Sequence, residues 1–381
     1  HRPEGIRTDE NIAHRQDRMD GAGMRPIAVG WLRHCRFSLK SRLKDGLRVG
    51  KRGALSCGIT LPPFRLQVDV TDRCNFRCPT CSKWNAEHPR KELGPDGWNV
   101  ILGKVCRFPV LREVSFTGGE PFCKPGILSI LRTAKARGLY TLVTTNGSLL
   151  DESLSRDVFA TGVDRLMVSL NSLVEESHDR SRGFSGSFAR IMAAIELWAR
   201  EPRETDLCLA AVITEENCGE LSELAEFTVS KGLNGIIFQV LAHDDAHYAF
   251  GETESMPNVP KDWPDKHPQW VRDHDKLNRE IDNLLKQKRS GYPIINSVWH
   301  LRQMKKYYAI PDVCRGIPCL GPFTTFYIDP YGDVRLCYGY PPVGNLMHDE
   351  PKKLWYGDAA RAIRRQVRSC RRLCRMLNNN L

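Results

Sequence analysis

The hydrophobic pattern between residues 64 and 240 alternates short apolar, β-branched runs with longer amphipathic segments. Six runs predict strands, at Phe64–Thr71, Glu113–Thr117, Tyr140–Thr145, Arg165–Leu170, Leu207–Ile213 and Gly235–Val240. Amphipathic spacing predicts helices between them, near 95–106, 125–137, 151–160, 187–200 and 217–231. Six β-α units require a parallel sheet with helices outside it, as an open doubly wound sheet or as a barrel.

The pattern changes after residue 241. Residues 244–268 are rich in Asp, His and Pro and predict a long loop, and a helix follows near 270–288. From about residue 310 the chain bears Cys and Gly, and two apolar runs flank the turn Asp329-Pro330-Tyr331-Gly332. This arrangement predicts a hairpin of Thr324–Ile328 and Asp333–Cys337.

Composition excludes several classes of protein. With 41% hydrophobic and 27% charged residues the 381-residue chain is neither disordered nor collagen-like. The sequence contains no run of 18 consecutive apolar residues, so we expect no membrane-spanning helix. The 14 cysteines follow no signal peptide, so we expect a reduced, cytoplasmic protein whose clustered cysteines bind metal. Segment 1–23 is polar, and we expect it to be an upstream extension with Met24 as the natural start.

The net charge of +11 is confined to two segments. Residues 24–53 and 352–375 each carry a net +8, so the remaining residues carry −5. No recognition helix or base-stacking motif accompanies the charge, so we expect no nucleic-acid partner. The basic amphipathic helix expected at 31–48 could contact anionic lipid peripherally, or it could pack its Leu face on the protein.

Three cysteines lie close together directly after the first predicted strand. Cys74, Cys78 and Cys81 have the spacing C-x3-C-x2-C at the carboxyl end of that strand, where barrel enzymes place their chemistry. Three thiolates can bind three irons of a 4Fe–4S cluster and leave the fourth iron open to an external ligand. A zinc knuckle that lacks its fourth ligand is the alternative.

These residues resemble those of the radical S-adenosylmethionine enzymes, over roughly residues 64–240 and the C-terminus. The resemblance implies a partial (β/α)6 TIM-like barrel, with S-adenosylmethionine bound at the open iron. Thr117-Gly118-Gly119-Glu120-Pro121 is similar to the motif that holds the methionine amino group, with Glu120 as the orienting acceptor. Two features depart from the family: Thr80 replaces an aromatic residue that flanks the adenine, and Asn171 replaces a frequent Asp. Phe76 or Trp84 would then pack on the adenine.

The resemblance also implies further contacts to the cofactor. Asn146 follows the third strand, and Ser169 and Asn171 follow the fourth and would lie near the ribose. The stretch His178-Asp179-Arg180-Ser181-Arg182-Gly183 is similar to one whose last Arg pairs with the methionine carboxylate. A guanidinium suits bidentate contact with a carboxylate, so Arg182 is the predicted partner; a solvated loop charge is the alternative.

A second group of cysteines lies near the C-terminus. Cys319, Cys337, Cys370 and Cys374, with Gly332 between the first two, resemble the one-cluster form of the SPASM/twitch extension. They predict one auxiliary 4Fe–4S cluster in a small α+β domain. Cys314 could replace Cys319, and a structural zinc at the same thiolates is the alternative.

The domain boundaries follow from these assignments. We expect an N-terminal extension with a basic amphipathic helix at 1–60, a radical S-adenosylmethionine partial barrel at 61–243, a loop and helical linker at 244–309, and a SPASM/twitch-like domain at 310–381.

The function implied by the resemblance is reductive cleavage of S-adenosylmethionine, followed by hydrogen abstraction from a peptide or small molecule. Oxidation, bond formation or epimerisation could result, with flavodoxin or ferredoxin as the electron donor. Candidates for catalytic groups are Cys123, His243 and Asp244, for which a surface or solvated-loop position is the alternative. A non-catalytic iron–sulfur electron-transfer or binding protein is the alternative function, although an electron carrier has no need of a cofactor-sized barrel.

Overall fold

The computed structural model describes residues 60–81, 83–85, 90–200, 204–242, 262–370 and 374. The predicted helix at 31–48 and the residues His243 and Asp244 lie outside this part of the chain. Among the described helices, none is both long enough and apolar enough to cross a membrane.

Within the described residues, nine strands form one sheet. Its order is β6-β5-β4-β3-β2-β1-β7-β8-β9, parallel from β6 to β7 and antiparallel beyond. The strands are β1 Arg65–Thr71, β2 Glu113–Gly118, β3 Tyr140–Thr145, β4 Arg165–Ser169, β5 Asp206–Ile213, β6 Gly235–Val240, β7 Thr325–Ile328, β8 Asp333–Arg335 and β9 Gly344–Asn345.

Helices connect these strands and continue after β6. They are α1 Pro95–Val105, α2 Ile127–Ala136, α3 Glu152–Ala160, α4 Glu175–Arg182, α5 Ser187–Arg200, α6 Leu221–Ser230, α7 Trp263–Lys266, α8 His274–Arg289, α9 Val298–Ala309, α10 Gly321–Thr324, α11 Pro351–Tyr356 and α12 Asp358–Ser369. Short 3₁₀ helices occupy Lys83–Asn85, Pro121–Cys123 and Pro311–Gly316.

Side chains cap the starts of several helices. Asp151, Asp273 and Ser297 accept hydrogen bonds from backbone N–H groups in the first turns of α3, α8 and α9, respectively. Each cap satisfies an N–H that has no partner within its helix, which defines where the helix begins.

The two faces of the sheet have different surroundings. On one face, apolar residues are fully buried against the helices and form the core; examples from successive strands are Val68, Phe116, Val143, Val168, Ala211 and Phe238. The alternating residues on the other face are half-exposed; examples are Gln67, Ser115, Thr144, Ser169, Val212 and Gln239. The second face is therefore the wall of an open lumen, which we call the lumen face, and the predicted partial barrel is confirmed.

Other chain segments cover both edges of the six-stranded barrel sheet. At one edge β7 pairs in parallel with β1, so the C-terminal hairpin extends the barrel sheet. At the other edge the Asn296 side chain accepts from the N–H of Phe238 and donates to its carbonyl oxygen, both at 2.8 Å. Ile295 N–H also donates to Ile236 O at 2.8 Å. Covering removes rows of unpaired backbone groups that promote aggregation.

The structure contains elements that the sequence pattern did not predict. Helix α4 has no apolar stripe and buries only His178 and Ser181, so periodicity could not reveal it. A short helix, α7, interrupts the loop predicted at 244–268, and α9 follows the predicted helix of the linker. Together with Trp270, helices α8 and α9 add buried residues to the core.

We predict that Asn296→Ala lowers the free energy of unfolding by about 3 kcal/mol, because it leaves a buried N–H and a buried carbonyl of Phe238 without partners. Urea denaturation followed by circular dichroism measures the change. Asn99→Ala, at an exposed position, is the control and should stay within about 0.5 kcal/mol of the parent. Equal losses in the two variants would contradict the prediction.

Candidate functional site

The three-cysteine loop leaves the carboxyl end of β1, as predicted. Cys78 is buried, whereas Cys74 and Cys81 are half-exposed. Cys81 N–H donates to Cys78 O at 3.1 Å, and Phe76 N–H contacts Cys74 Sγ at 3.4 Å. The loop is thus a turned segment that presents three thiols at the edge of the lumen.

The Gly-Gly-Glu segment runs directly against the start of this loop. Gly119 N–H donates to Thr71 O, and Glu120 N–H donates to Arg73 O, both at 2.8 Å. A Cβ at Gly119 would collide with Arg73 O, so only glycine allows this approach. The backbones of the two motifs are therefore bonded to each other.

The Glu120 carboxylate is buried and accepts three hydrogen bonds. They come from Phe122 N–H (3.1 Å), Thr145 Oγ1 (2.8 Å) and Asn146 N–H (2.7 Å). Burial raises the pKa of Glu120, while these bonds and Arg182 favour its charged form. The residue predicted to orient the ligand therefore also joins the carboxyl ends of β2 and β3.

Asn146 links the end of β3 to the cysteine loop. Its Nδ2 donates to Asn75 Oδ1 at 2.8 Å, and Asn75 Nδ2 donates to Ser148 Oγ at 2.9 Å. Ser148 in turn donates to Asn146 Oδ1 at 2.7 Å, which closes the network. The sequence did not predict the roles of Asn75 and Ser148 in this network. Asn75 lies within the cysteine motif and Ser148 follows Asn-Gly, and neither position by itself indicates a hydrogen-bond partner.

The end of β4 is attached to helix α4. Asn171 N–H donates to His178 Nδ1 at 3.2 Å, and Asn171 Nδ2 donates to Ser181 Oγ at 3.1 Å. Asn171 Oδ1 accepts from Val212 N–H at 3.1 Å. Both ends of the Asn171 amide are thus bonded within the protein, whereas Ser169, at the lumen face, has no side-chain partner in the described part of the chain.

His178 is a buried, neutral histidine. Burial, followed by the charge of Arg182, lowers its pKa to about 3. Because its Nδ1 accepts the Asn171 hydrogen bond, its Nε2 carries the proton, and among the described residues Nε2 has no partner. The resemblance located this stretch, but the role of His178 in orienting α4 became visible only in the structure.

Arg182 ends α4 next to the cysteine loop. Its guanidinium lies 5.8 Å from the ring centroid of Phe76, which stacks on Phe184 at 4.8 Å. Its charge acts on both Cys74 and Glu120, and its buried Nε has no hydrogen-bond partner in the described residues. An unsatisfied guanidinium nitrogen whose charge acts on the Cys74 thiol fits a site for an anionic ligand.

Three of the four C-terminal cysteines of the predicted site lie near a tyrosine of β7. Burial, and then the neighbouring Cys319 and Cys337, raise the pKa of Tyr327; Cys374 acts on it as well. Cys337 Sγ accepts from Gly339 N–H at 3.4 Å, and Cys370 follows α12 directly. Three of the four predicted ligands therefore lie around one side chain.

No three His, Cys, Asp or Glu side chains converge on one point as around a single metal ion, in the part of the chain that the structure describes. A 4Fe–4S cluster binds each thiolate at a different iron, so its ligands do not share one point. Three thiols on one turned loop fit such a cluster. Cys123 lies near Cys74, and burial raises its pKa to about 11.

Two family models match the chain. The Radical SAM superfamily model matches residues 68–228, and the SPASM iron–sulfur cluster-binding domain model matches residues 319–376. The chain is a radical SAM protein that carries a SPASM domain. The cofactors of these domains are S-adenosylmethionine, a 4Fe–4S cluster and auxiliary iron–sulfur clusters.

Curated relatives match about half of the chain. A "PqqA peptide cyclase" from Rhizobium meliloti is 31% identical over 170 residues, 44% of this chain and 44% of the relative. An "AdoMet-dependent heme synthase" from Methanosarcina barkeri is 28% identical over 185 residues, 48% of this chain and 51% of the relative. The alignments therefore span only about half the length of these radical SAM relatives.

Solved structures share the fold. Streptococcus suis SuiB bound to S-adenosylmethionine is 18% identical with a TM-score of 0.61, over 82% of this chain and 70% of SuiB. The structure of anSMEcpe with bound AdoMet and the Cp18Cys peptide is 16% identical with a TM-score of 0.59, over 79% of this chain and 82% of anSMEcpe. At these identities the likeness concerns the fold of the radical SAM domain and its C-terminal extension.

The neutral state of His178 predicts a pH dependence of stability. Its pKa is about 3 in the folded chain and about 6.5 when unfolded, so between these values the unfolded chain binds the additional proton. The free energy of unfolding should therefore decrease as the pH falls below about 6.5. The contribution is about 1.4 kcal/mol per pH unit.

Urea denaturation between pH 7 and 4 tests this contribution in His178→Gln, since glutamine can accept the Asn171 hydrogen bond but does not titrate. The variant should lose stability less steeply than the parent as the pH falls. His348→Gln, at an exposed position, is the matched control and should retain the parental slope. Identical slopes for His178→Gln and the parent would show that His178 is not held neutral.

Proposed function

We propose that the protein is a radical S-adenosylmethionine enzyme that abstracts a hydrogen atom from a peptide substrate. The observation that carries this proposal is the three-cysteine loop, bonded to the Gly-Gly-Glu segment beside the lumen face. The loop offers three thiols rather than four, which suits a cluster with one iron open to a ligand.

Cys74, Cys78 and Cys81 would hold the first cluster. When bound, the cluster and S-adenosylmethionine supply a 5′-deoxyadenosyl radical, which is the species that abstracts hydrogen. The chain's contribution is to hold the thiols at the edge of the lumen, where half-exposed uncharged side chains such as Ser115 and Thr144 leave space for a substrate.

Arg182 is the proposed partner of the methionine carboxylate. Its unsatisfied buried Nε and its interaction with Glu120 and Cys74 support the assignment. Glu120 and the backbone of Gly118 and Gly119 would face the amino group. Asn146 would contribute beside them.

Ser169 and Asn171 are proposed to lie at the ribose. Ser169 is half-exposed at the lumen face, so its hydroxyl can contact a ligand directly. Asn171 has its amide bonded to Ser181 and Val212, which supports a role in shaping the pocket.

A peptide is the proposed substrate class. Relatives named as PqqA peptide cyclases and the likeness to SuiB, which has been solved with its precursor peptide SuiA, support this choice. Abstraction of hydrogen could lead to oxidation, bond formation or epimerisation.

Cys319, Cys337, Cys370 and Cys374 are the proposed ligands of one auxiliary 4Fe–4S cluster. Cys319 is preferred to Cys314 because the SPASM match begins at residue 319.

An electron donor such as flavodoxin or ferredoxin is the proposed redox partner.

Several features stay predictions. They are a cytoplasmic location, a peripheral membrane contact through 31–48, and the domain boundaries 1–60, 61–243, 244–309 and 310–381. The catalytic roles of Cys123, His243 and Asp244 also stay predictions. Trp84, which is exposed beside Cys78, and Phe76 stay alternatives for the adenine contact.

The proposed activity predicts 5′-deoxyadenosine after anaerobic reconstitution with iron and sulfide, when dithionite and S-adenosylmethionine are added. Cys74→Ala should form none above background, because one thiolate of the first cluster is missing. Chromatography with mass detection measures the product. Cys106→Ala, a half-exposed cysteine at the end of α1, is the matched control and should retain the activity. Absence of product from the parent would refute the proposal.

Two clusters predict about eight irons per reconstituted chain. Cys337→Ala should bind about four, because the auxiliary site loses a ligand while the loop at 74–81 is intact. Iron analysis together with electron paramagnetic resonance distinguishes the two sites. A parent that binds only about four irons would remove the auxiliary cluster from the proposal.

A further inference from the structure

Three charged side chains are buried together beneath the three-cysteine loop. Lys83 Nζ lies 2.5 Å from Asp69 Oδ2 and 3.2 Å from Asp72 Oδ1. Lys83 is only 1% exposed, and the two aspartates are 4% and 5% exposed. These three residues form what we call the loop clasp.

The loop clasp joins the two ends of the cysteine loop. Asp69 belongs to β1, and Asp72 lies between the end of β1 and Cys74, whereas Lys83 follows Cys81 by two residues. The Lys83 ion pairs therefore close the segment that contains all three cysteines.

Further hydrogen bonds connect the loop clasp to the Gly-Gly-Glu segment. Glu92 Oε1 accepts from Asp72 N–H at 2.8 Å, and Glu92 Oε2 pairs with Lys124 Nζ at 2.8 Å. Lys124 directly follows the 3₁₀ helix that begins after Glu120. The two motifs are thus joined by side chains as well as by backbone.

The loop clasp also contacts the C-terminal hairpin. Tyr331, in the turn between β7 and β8, donates its hydroxyl hydrogen to Asp72 Oδ2 at 3.1 Å. Arg90 lies over the Tyr331 ring at 4.5 Å and pairs with Asp333 at 2.6 Å. The residue that precedes the cysteine loop by two positions is therefore hydrogen-bonded to the hairpin that precedes Cys337.

Stability alone does not account for these buried charges. Removing the charges of an ion pair from water is costly, and proteins with apolar residues of similar volume at such positions are often as stable. A network whose members are bonded to both ends of a ligand loop instead restricts that loop to one conformation.

We propose that Lys83 is a positioning residue that holds Cys74, Cys78 and Cys81 in the arrangement that binds the first cluster and S-adenosylmethionine. The inference rests on the proposed function for the identity of the bound group. Lys83 would act through its ion pairs with Asp69 and Asp72, without itself being a ligand of the cluster.

The test compares Lys83→Met and Lys83→Arg with the parent after anaerobic reconstitution. Lys83→Met should release iron to a chelator about 10- to 100-fold faster from the cluster at 74–81, as for the loss of residues that orient metal ligands. The change that S-adenosylmethionine causes in the electron paramagnetic resonance spectrum of the reduced cluster should weaken. Lys83→Arg keeps a cation at the site and should restore most of both properties.

Two further variants separate positioning from folding. Lys135→Met breaks a half-buried ion pair with Asp164 (2.6 Å) at the amino end of the sheet, and it should behave like the parent. The double variant Asp69→Asn/Lys83→Met keeps the parental net charge in the loop clasp but lacks its main ion pair. It should retain the parental circular dichroism and still show the faster iron release.

Parental iron release and a parental response to S-adenosylmethionine in Lys83→Met would overturn the inference. The inference would also be overturned if Lys83→Met were unfolded while the double variant were folded with parental iron release and a parental response to S-adenosylmethionine. The unpaired buried charge of Asp69 would then explain the defect of Lys83→Met. Failure of the proposed function is distinguishable, since the parent itself would then bind no cluster or form no 5′-deoxyadenosine.

Discussion

The buried carboxylate of Glu120 is the interaction on which the rest of the site depends. Removing a carboxylate from water costs several kcal/mol, and here three hydrogen bonds, each about 1.5 to 3 kcal/mol for a charged acceptor, offset part of that cost. Two of them come from Thr145 and Asn146, so the ends of β2 and β3 must adjoin. Through its own N–H, Glu120 also holds Arg73 at the start of the cysteine loop.

The sheet continues from the barrel into the C-terminal region. Because β7 pairs with β1, the strand that precedes the first cysteine group is next to the strand that carries Tyr327, around which three of the second group lie. The first cysteine group thus follows one of two adjacent strands, and three members of the second group lie near a side chain of the other. A displacement of β1 or β7 should therefore affect both cysteine groups, because closely packed strands transmit strain to each other.

The period of the hydrophobic pattern predicted the six barrel strands to within about a residue at each end, and the long helices of the barrel nearly as well. It failed for α4, whose eight residues include no apolar stripe, because that helix is held by His178 and Ser181 hydrogen bonds to Asn171. Polar packing of this kind leaves no periodic trace in a sequence.

The sequence alone determined which reactive groups are present and how they are spaced. These are three cysteines at fixed spacing, a Gly-Gly-Glu segment and a second cysteine group. Only the tertiary structure decided which groups support them. Lys83 and Asp69 are 14 residues apart, and Asp72 and Tyr331 are 259 apart, and neither pairing follows from spacing. The order of the strands determines which side chains lie near each other. A buried charge is stable only with an opposite charge or a hydrogen-bond donor or acceptor beside it, so these pairings depend on the tertiary structure.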